Sequence, residues 1–138
     1  MELNNRIPYN NQMQYFKSAC RMYRMNKMWL SSMNESMKQA EFMPGCVFDY
    51  VDGVVRTVEE AQMRQDILKE HVKKVEKTLE EIEMFYGHEA YQIMVEAYIH
   101  SKKRKEIAEH YGMNEQQLVR QMVSWLSGVL YQRNRYLS

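Results

Sequence analysis

From Val58 to Tyr86 the apolar positions recur at alternating steps of three and four: Val58, Ala61, Leu68, Val72, Val75, Leu79, Ile82 and Tyr86, with Gln65 as the one polar member. A repeat averaging about 3.5 residues marks a helix that buries one narrow seam against a partner helix. Glu70 and Lys74, and Lys77 and Glu81, sit four apart and support the helix on its wet side. The pattern predicts a helix from about Val55 to Tyr86. Residues 9–42 predict a second long helix. Met13, Phe16, Cys20, Tyr23, Leu30 and Met37 keep three-four spacing, interrupted at Lys27 and Asn34, and Met22, Met25, Trp29 and Met33 form an adjacent row. So wide an apolar face needs burial against another helix. Pro44-Gly45 ends this helix, and residues 43–54 read as a connector with at most a short strand bridge. The seam at 58–86 serves equally a hairpin with residues 9–42 and a coiled coil between chains, and the spacing does not choose.

Gly87 breaks the pattern, and three shorter helices are predicted beyond it, at about 88–100, 103–111 and 114–133. The last two carry the features of a helix-turn-helix. Ile107 packs inward and Ala108 is small enough to let two helices approach. Gly112 permits a left-handed turn residue, Met113 plugs the core from the turn, and Asn114 caps the next helix. Leu118 and Met122 continue the inner face four residues apart. The expected fold is therefore all-α, in two parts. Residues 1–86 form a long helical hairpin or coiled-coil arm with its connector at 43–54. Residues 87–138 form a tri-helical helix-turn-helix domain.

Composition sharpens this picture in places. Two prolines and five glycines leave little punctuation, and thirteen methionines at helical spacings read as gap-filling core residues. Residues 1–12 are polar and no apolar run approaches the roughly 20 residues of a membrane span, so neither a signal peptide nor a membrane partner is expected. Cys20 and Cys46 are isolated, which suits a reducing cytoplasm. His71, His88, His100 and His110 show no ligand spacing, so no metal or other cofactor is expected. No phosphate loop, nucleophile motif or carboxylate pair stands out, and the chain does not read as an enzyme. The formal net charge of +1 conceals a segregation. Six basic residues against two acidic ones put residues 1–40 at +4; six against thirteen put 41–100 at −7; seven against three put 101–138 at +4. A basic end beside an acidic middle suggests a polyanion partner for the C-terminal part.

The segment Tyr91–Val129 resembles region 4 of the bacterial sigma factors. The family's Lys-Glu-Ile-Ala is matched by Lys105-Glu106-Ile107-Ala108, its Gly-x-Ser-Glu turn by Gly112-Met113-Asn114-Glu115, and its Leu-Arg-Tyr stretch more loosely by Glu96-Ala97-Tyr98. The Met43-Pro44-Gly45 connector ending in Asp49-Tyr50-Val51-Asp52-Gly53, and the long acidic helix after it, are similar to small phage and prophage sigma-like regulators related to the ArpU/RinA activators of phage genes. The similarity covers about residues 40–130, and only the last forty are motif-specific. The chain departs from the sigma pattern at Gln117, where Thr is usual, and at Gln121 and Ser124, where Arg is usual.

The resemblance implies a sequence-specific regulator of transcription that binds double-stranded DNA and works with RNA polymerase. Surface positions of the expected recognition helix are Glu115, Gln116, Gln117, Arg120, Gln121 and Ser124. Of these, Gln116, Gln117, Arg120, Gln121 and Ser124 are the candidate base readers, because Gln can pair with adenine and Arg with guanine in the major groove. Lys102, Lys103, Arg104 and Lys105 are the candidate phosphate contacts. They crowd a helix start, where cations oppose the helix macrodipole and a phosphate would relieve the conflict. Two other classes remain open. One is a small terminase subunit, which also joins a helix-turn-helix to an oligomerising helical part. The other is a protein-interaction module whose helix-turn-helix no longer binds DNA. The 58–86 helix offers a route to a homo-oligomer in any of them.

Overall fold

The computed structural model describes the backbone of residues 2–41 and 45–137 and the side chains of residues 13–40 and 45–132. The Met43-Pro44 part of the connector lies outside the described residues. The element order is α1 (Glu2–Lys38), a single 3-10 turn (Gln39–Glu41), β1 (Cys46–Phe48), β2 (Val55–Thr57), α2 (Val58–Tyr86), α3 (His88–Met94) continuing into a π turn (Val95–Ile99), α4 (Arg104–His110) and α5 (Glu115–Leu137). The fold is all-α, with one two-stranded antiparallel ribbon that pairs Cys46 with Thr57, Val47 with Arg56 and Phe48 with Val55. No helix among the described residues is long and apolar enough to cross a membrane. The chain divides into two compact units, residues 22–74 and residues 1–21 with 75–138.

The unit formed by residues 22–74 packs the second half of α1 against the first half of α2. Met33, Val47, Ala61 and Leu68 form its apolar core, with Trp29, Leu30, Met37, Ala40, Val51 and Val58 around them. Gln65 and Asn34, the polar interruptions of the two helical patterns, meet here: Gln65 Nε2 donates to Asn34 Oδ1 at 2.6 Å, and Gln65 Oε1 accepts from Gln62 Nε2 at 3.0 Å. Gln65 is buried and Asn34 is exposed, so a slip of register would strand the Gln65 amide without its partner. Ser36 is buried but satisfied, donating to the Ser32 carbonyl and accepting from the Tyr50 N–H, both at 3.0 Å.

The ribbon is organised around Asp49, which is fully buried. Its Oδ1 accepts from the Val51 N–H at 2.8 Å, and its Oδ2 lies 2.9 Å from both Arg56 Nε and Arg64 Nε. The Arg56 Nε–H is aligned to donate, whereas Arg64 Nε stands at ion-pair distance without a hydrogen bond. Asp52 accepts from the Val54 N–H at 3.1 Å and pairs with Arg56 Nη2. The turn closes with Asp49 N–H to the Val54 carbonyl and Gly53 N–H to the Asp49 carbonyl.

The ribbon corrects the expected start of α2. Val55, Arg56 and Thr57 are strand rather than helix, and α2 begins at Val58 because Thr57 Oγ1 accepts from the Glu60 N–H at 3.2 Å. That Thr-x-x-Glu arrangement is an N-cap. In α1, the helix begins at Glu2 rather than near residue 9. Its apolar face is also narrower than the predicted rows: Met22 and Met25 are exposed, while Asn26 joins the buried row. The buried row steps three residues from Tyr23 to Asn26, which leaves the Lys27 ammonium outside, 5.4 Å from the centre of the Tyr23 ring.

In the unit formed by residues 1–21 and 75–138, Val75, Thr78, Leu79 and Ile82 of α2 are buried, as are Phe16 and Cys20 of α1. Phe16 meets Tyr98 edge to face at 6.3 Å, and Ser127 Oγ lies 3.6 Å from Met13 Sδ. Burial pushes the Cys20 thiol up to about 12. The Tyr86 phenol lies over Gly128, where a β-carbon would overlap its hydroxyl, which accounts for a glycine in the middle of α5. Ala90, Ile93, Met94, Ile107, Ala108, Leu118, Met122, Leu126, Val129 and Leu130 complete the buried set.

All four predicted seam residues, Leu68, Val72, Val75 and Leu79, are buried within one chain. The intramolecular alternative therefore accounts for the seam without a second copy. Leu68→Ala or Leu79→Ala is expected to cost about 2–5 kcal/mol in chemical denaturation; a loss below roughly 1 kcal/mol at both would mean that the seam is not packed. Asp49→Asn should cost about 2–3 kcal/mol. That is below the roughly 3–5 kcal/mol of a wholly buried broken pair, because Arg56 and Arg64 are partly exposed and can recover water. Retention of full stability in the Asn variant would show that the two guanidinium groups do not depend on the carboxylate.

Candidate nucleic-acid interface

The candidate surface is built on the turn between α4 and α5. Gly112 takes φ +69°, the left-handed conformation expected of it. The Met113 N–H reaches the Ala108 carbonyl at 2.9 Å and the Gly112 N–H reaches the Glu109 carbonyl at 3.3 Å. These are the two bonds of a Schellman termination, and they satisfy carbonyls that the end of α4 would otherwise leave open. One residue later α5 begins. Asn114 Oδ1 accepts from the Gln117 N–H at 2.8 Å, and Gln117 Oε1 accepts from the Asn114 N–H at 3.1 Å. This reciprocal pair is a capping box. Ile107 and Ala108 from α4 and Leu118 and Met122 from α5 are buried beneath the turn. Three residues thus stop one helix and start the next, and the outward face of α5 follows from where its inner face is anchored.

The segment before α4 is also wound unusually. The His100 N–H bonds to the Val95 carbonyl, and the Lys102 N–H to the Glu96 carbonyl, both at 2.9 Å. Ser101 carries φ +53°, a left-handed non-glycine residue that turns the chain into the basic cluster. The helix expected at 88–100 ends here for that reason. Lys103 precedes α4 in extended conformation without a side-chain cap, so Arg104 and Lys105 occupy the first turn of α4. All four residues of the cluster are exposed. Lys102 Nζ pairs with Glu96 Oε1 at 3.4 Å. Burial pushes the Tyr98 phenol above its usual range, with the Arg104 charge opposing.

Arg104 of α4 and Glu115, Gln116, Val119 and Arg120 of α5 line one open depression of about 390 Å³. One expected phosphate contact therefore stands beside two expected base readers. Among the described residues, neither Arg104 nor Arg120 is held in an ion pair. Gln121 and Ser124 are exposed on α5 but do not line the depression. Gln117 is exposed, but its amide oxygen serves the cap. A bidentate contact to adenine uses both ends of the amide, and the cap directs the Gln117 oxygen back to Asn114 instead of toward a base edge. Glu115 and Val119 also line the depression, although neither is among the expected DNA contacts. The one available signal was that Glu115, the first residue of α5, lies one turn before Val119 and beside Gln116.

No group of His, Cys, Asp and Glu side chains that could hold a metal occurs among the described residues. No protein-family model matches the chain, and no curated protein or solved structure shows significant similarity to it.

The cap makes two expectations for thermal or chemical denaturation. Asn114→Ala should lower stability by about 1 kcal/mol, the usual cost of removing an N-cap side chain. Gln117→Ala should lower it by a smaller amount. A neutral Asn114→Ala would show that α5 starts without its cap.

Proposed function

We propose that this chain is a sequence-specific, double-stranded DNA-binding regulator of transcription, of phage or prophage type, acting with RNA polymerase in the cytoplasm of a bacterial host. The observation that carries the reading is the depression shared by Arg104, Gln116 and Arg120 on a helix pair joined by a Gly-Met-Asn turn. In a helix-turn-helix the second helix presents its N-terminal residues to base edges in the major groove. Here that helix is α5. Arg120 is the reader for guanine and Gln116 for adenine, each bidentate contact being worth about 1–3 kcal/mol of discrimination. Lys102, Lys103, Arg104 and Lys105 take the phosphates, which fix orientation and register but carry no sequence information.

Selection from random duplexes at moderate salt is the test. The intact chain should enrich a motif, Arg120→Ala should relax it at one base pair, and Gln117→Ala should leave it unchanged. If the chain enriches nothing, the regulator reading fails and a protein-interaction module takes its place. Neutralising Lys102, Lys103 and Lys105 together should weaken binding to every duplex alike. It should also flatten the log–log salt dependence by roughly 0.9 for each phosphate that is no longer neutralised. An unchanged slope would remove the cluster from the interface.

A further inference from the structure

The geometry points to Glu115 as a specificity-determining residue that selects cytosine in the major groove, an inference that rests on the DNA-reading function proposed above. Glu115 is the first residue of α5 and is exposed. It lines the same depression as Arg104, Gln116 and Arg120, so a carboxylate sits within the most basic part of the candidate surface. It forms an ion pair with neither guanidinium among the described residues. Its acceptor positions are therefore open to a donor from outside, and a carboxylate at neutral pH only accepts.

Chemistry then chooses the base. Guanine presents two acceptors in the major groove, N7 and O6, and thymine presents the O4 acceptor and a methyl group, so a carboxylate is repelled by the first and unmatched by the second. Adenine presents its N6 amino group beside the N7 acceptor, which opposes the approach. Cytosine presents its N4 amino group with an acceptor on one side only, the O6 of the paired guanine, whereas the adenine N6 lies between its own N7 and the O4 of the paired thymine, so cytosine is the base that fits. The same charge repels phosphate. Glu115 therefore weakens sequence-independent settling on the duplex while Arg104 and the lysines draw it in, and discrimination built from one attractive and one repulsive element exceeds what either provides alone. The bland role for an acidic residue here is favourable interaction with the N-terminal end of the helix dipole. That role makes no demand on base identity, so the two are separable.

The experiment is selection from random duplexes with the intact chain, Glu115→Ala and Glu115→Gln, with a thermal melt of each variant as the folding control. The intact chain should enrich a motif containing a cytosine position. Glu115→Ala should reduce preference at that position by about tenfold or more, leave the other positions intact and tighten binding to random duplex. Glu115→Gln should move the preference toward adenine, because the amide both donates and accepts. Motifs in both variants identical to that of the intact chain would overturn the inference and leave the regulator reading standing. Enrichment of nothing by the intact chain would overturn both.

Discussion

A helix of 29 residues with one oily edge does not persist alone in water. In α2 that edge runs from Val58 to Ile82 with Gln65 as its one polar position, and the rest of the structure depends on covering it. Full burial of a Val, Leu or Ile side chain contributes about 1.5–3 kcal/mol. Ala61 and Leu68 supply the core of the 22–74 unit, and Val75, Leu79 and Ile82 supply buried residues to the other. The polar Gln65 is tolerated because Asn34 meets it. The cost of leaving the buried Gln65 amide unpaired becomes a register signal that the apolar residues alone could not provide.

The polar groups that are buried elsewhere follow the same logic. Asp49 is tied to a backbone N–H and to two arginines from β2 and α2, so a three-residue ribbon too short to be stable by itself is held to the helix that follows it. At the other end, the turn from Ala108 to Gln117 satisfies the open carbonyls of α4 and the open N–H groups of α5 with four hydrogen bonds. Those bonds hold the start of α5 with its polar face outward. Among the described residues, Lys102 pairs with Glu96, and Lys103, Arg104 and Lys105 show no ion pair. A run of exposed cations at a helix start is electrostatically unfavourable for the helix, and an external anion relieves that.

Periodicity made α2 and the burial of Leu68, Val72, Val75 and Leu79 legible, and turn chemistry made Gly112 and Asn114 legible. Both signals are local. What escaped was decided by competition between local signals or by distant contacts. Val55-Arg56-Thr57 fits the helical pattern of α2, yet it forms a strand because Cys46–Phe48 pairs with it and Thr57 caps the helix behind it. Asp49 and Asp52 looked like loop residues because their arginine partners lie further along the chain. Met22 and Met25 continue the row of Trp29 and Met33, and spacing alone could not tell that the buried face passes them by. At the candidate interface, Gln116 and Arg120 fall where the helical face put them, but Gln117 is turned back to the cap. Its role was readable in Asn114-x-x-Gln117, the same capping pattern as Thr57-x-x-Glu60, and was masked by its position among polar surface residues.

The proposed DNA-binding face of α4 and α5 can be tested by titrating the isotope-labelled chain with a short duplex and following its amide and side-chain resonances. The largest perturbations are expected at Arg104, Gln116 and Arg120 and at Lys102–Lys105. They should weaken as salt is raised, and Asp49, Arg56 and Arg64 should stay unmoved. Perturbations confined to other residues, or none at low salt, would contradict the claim.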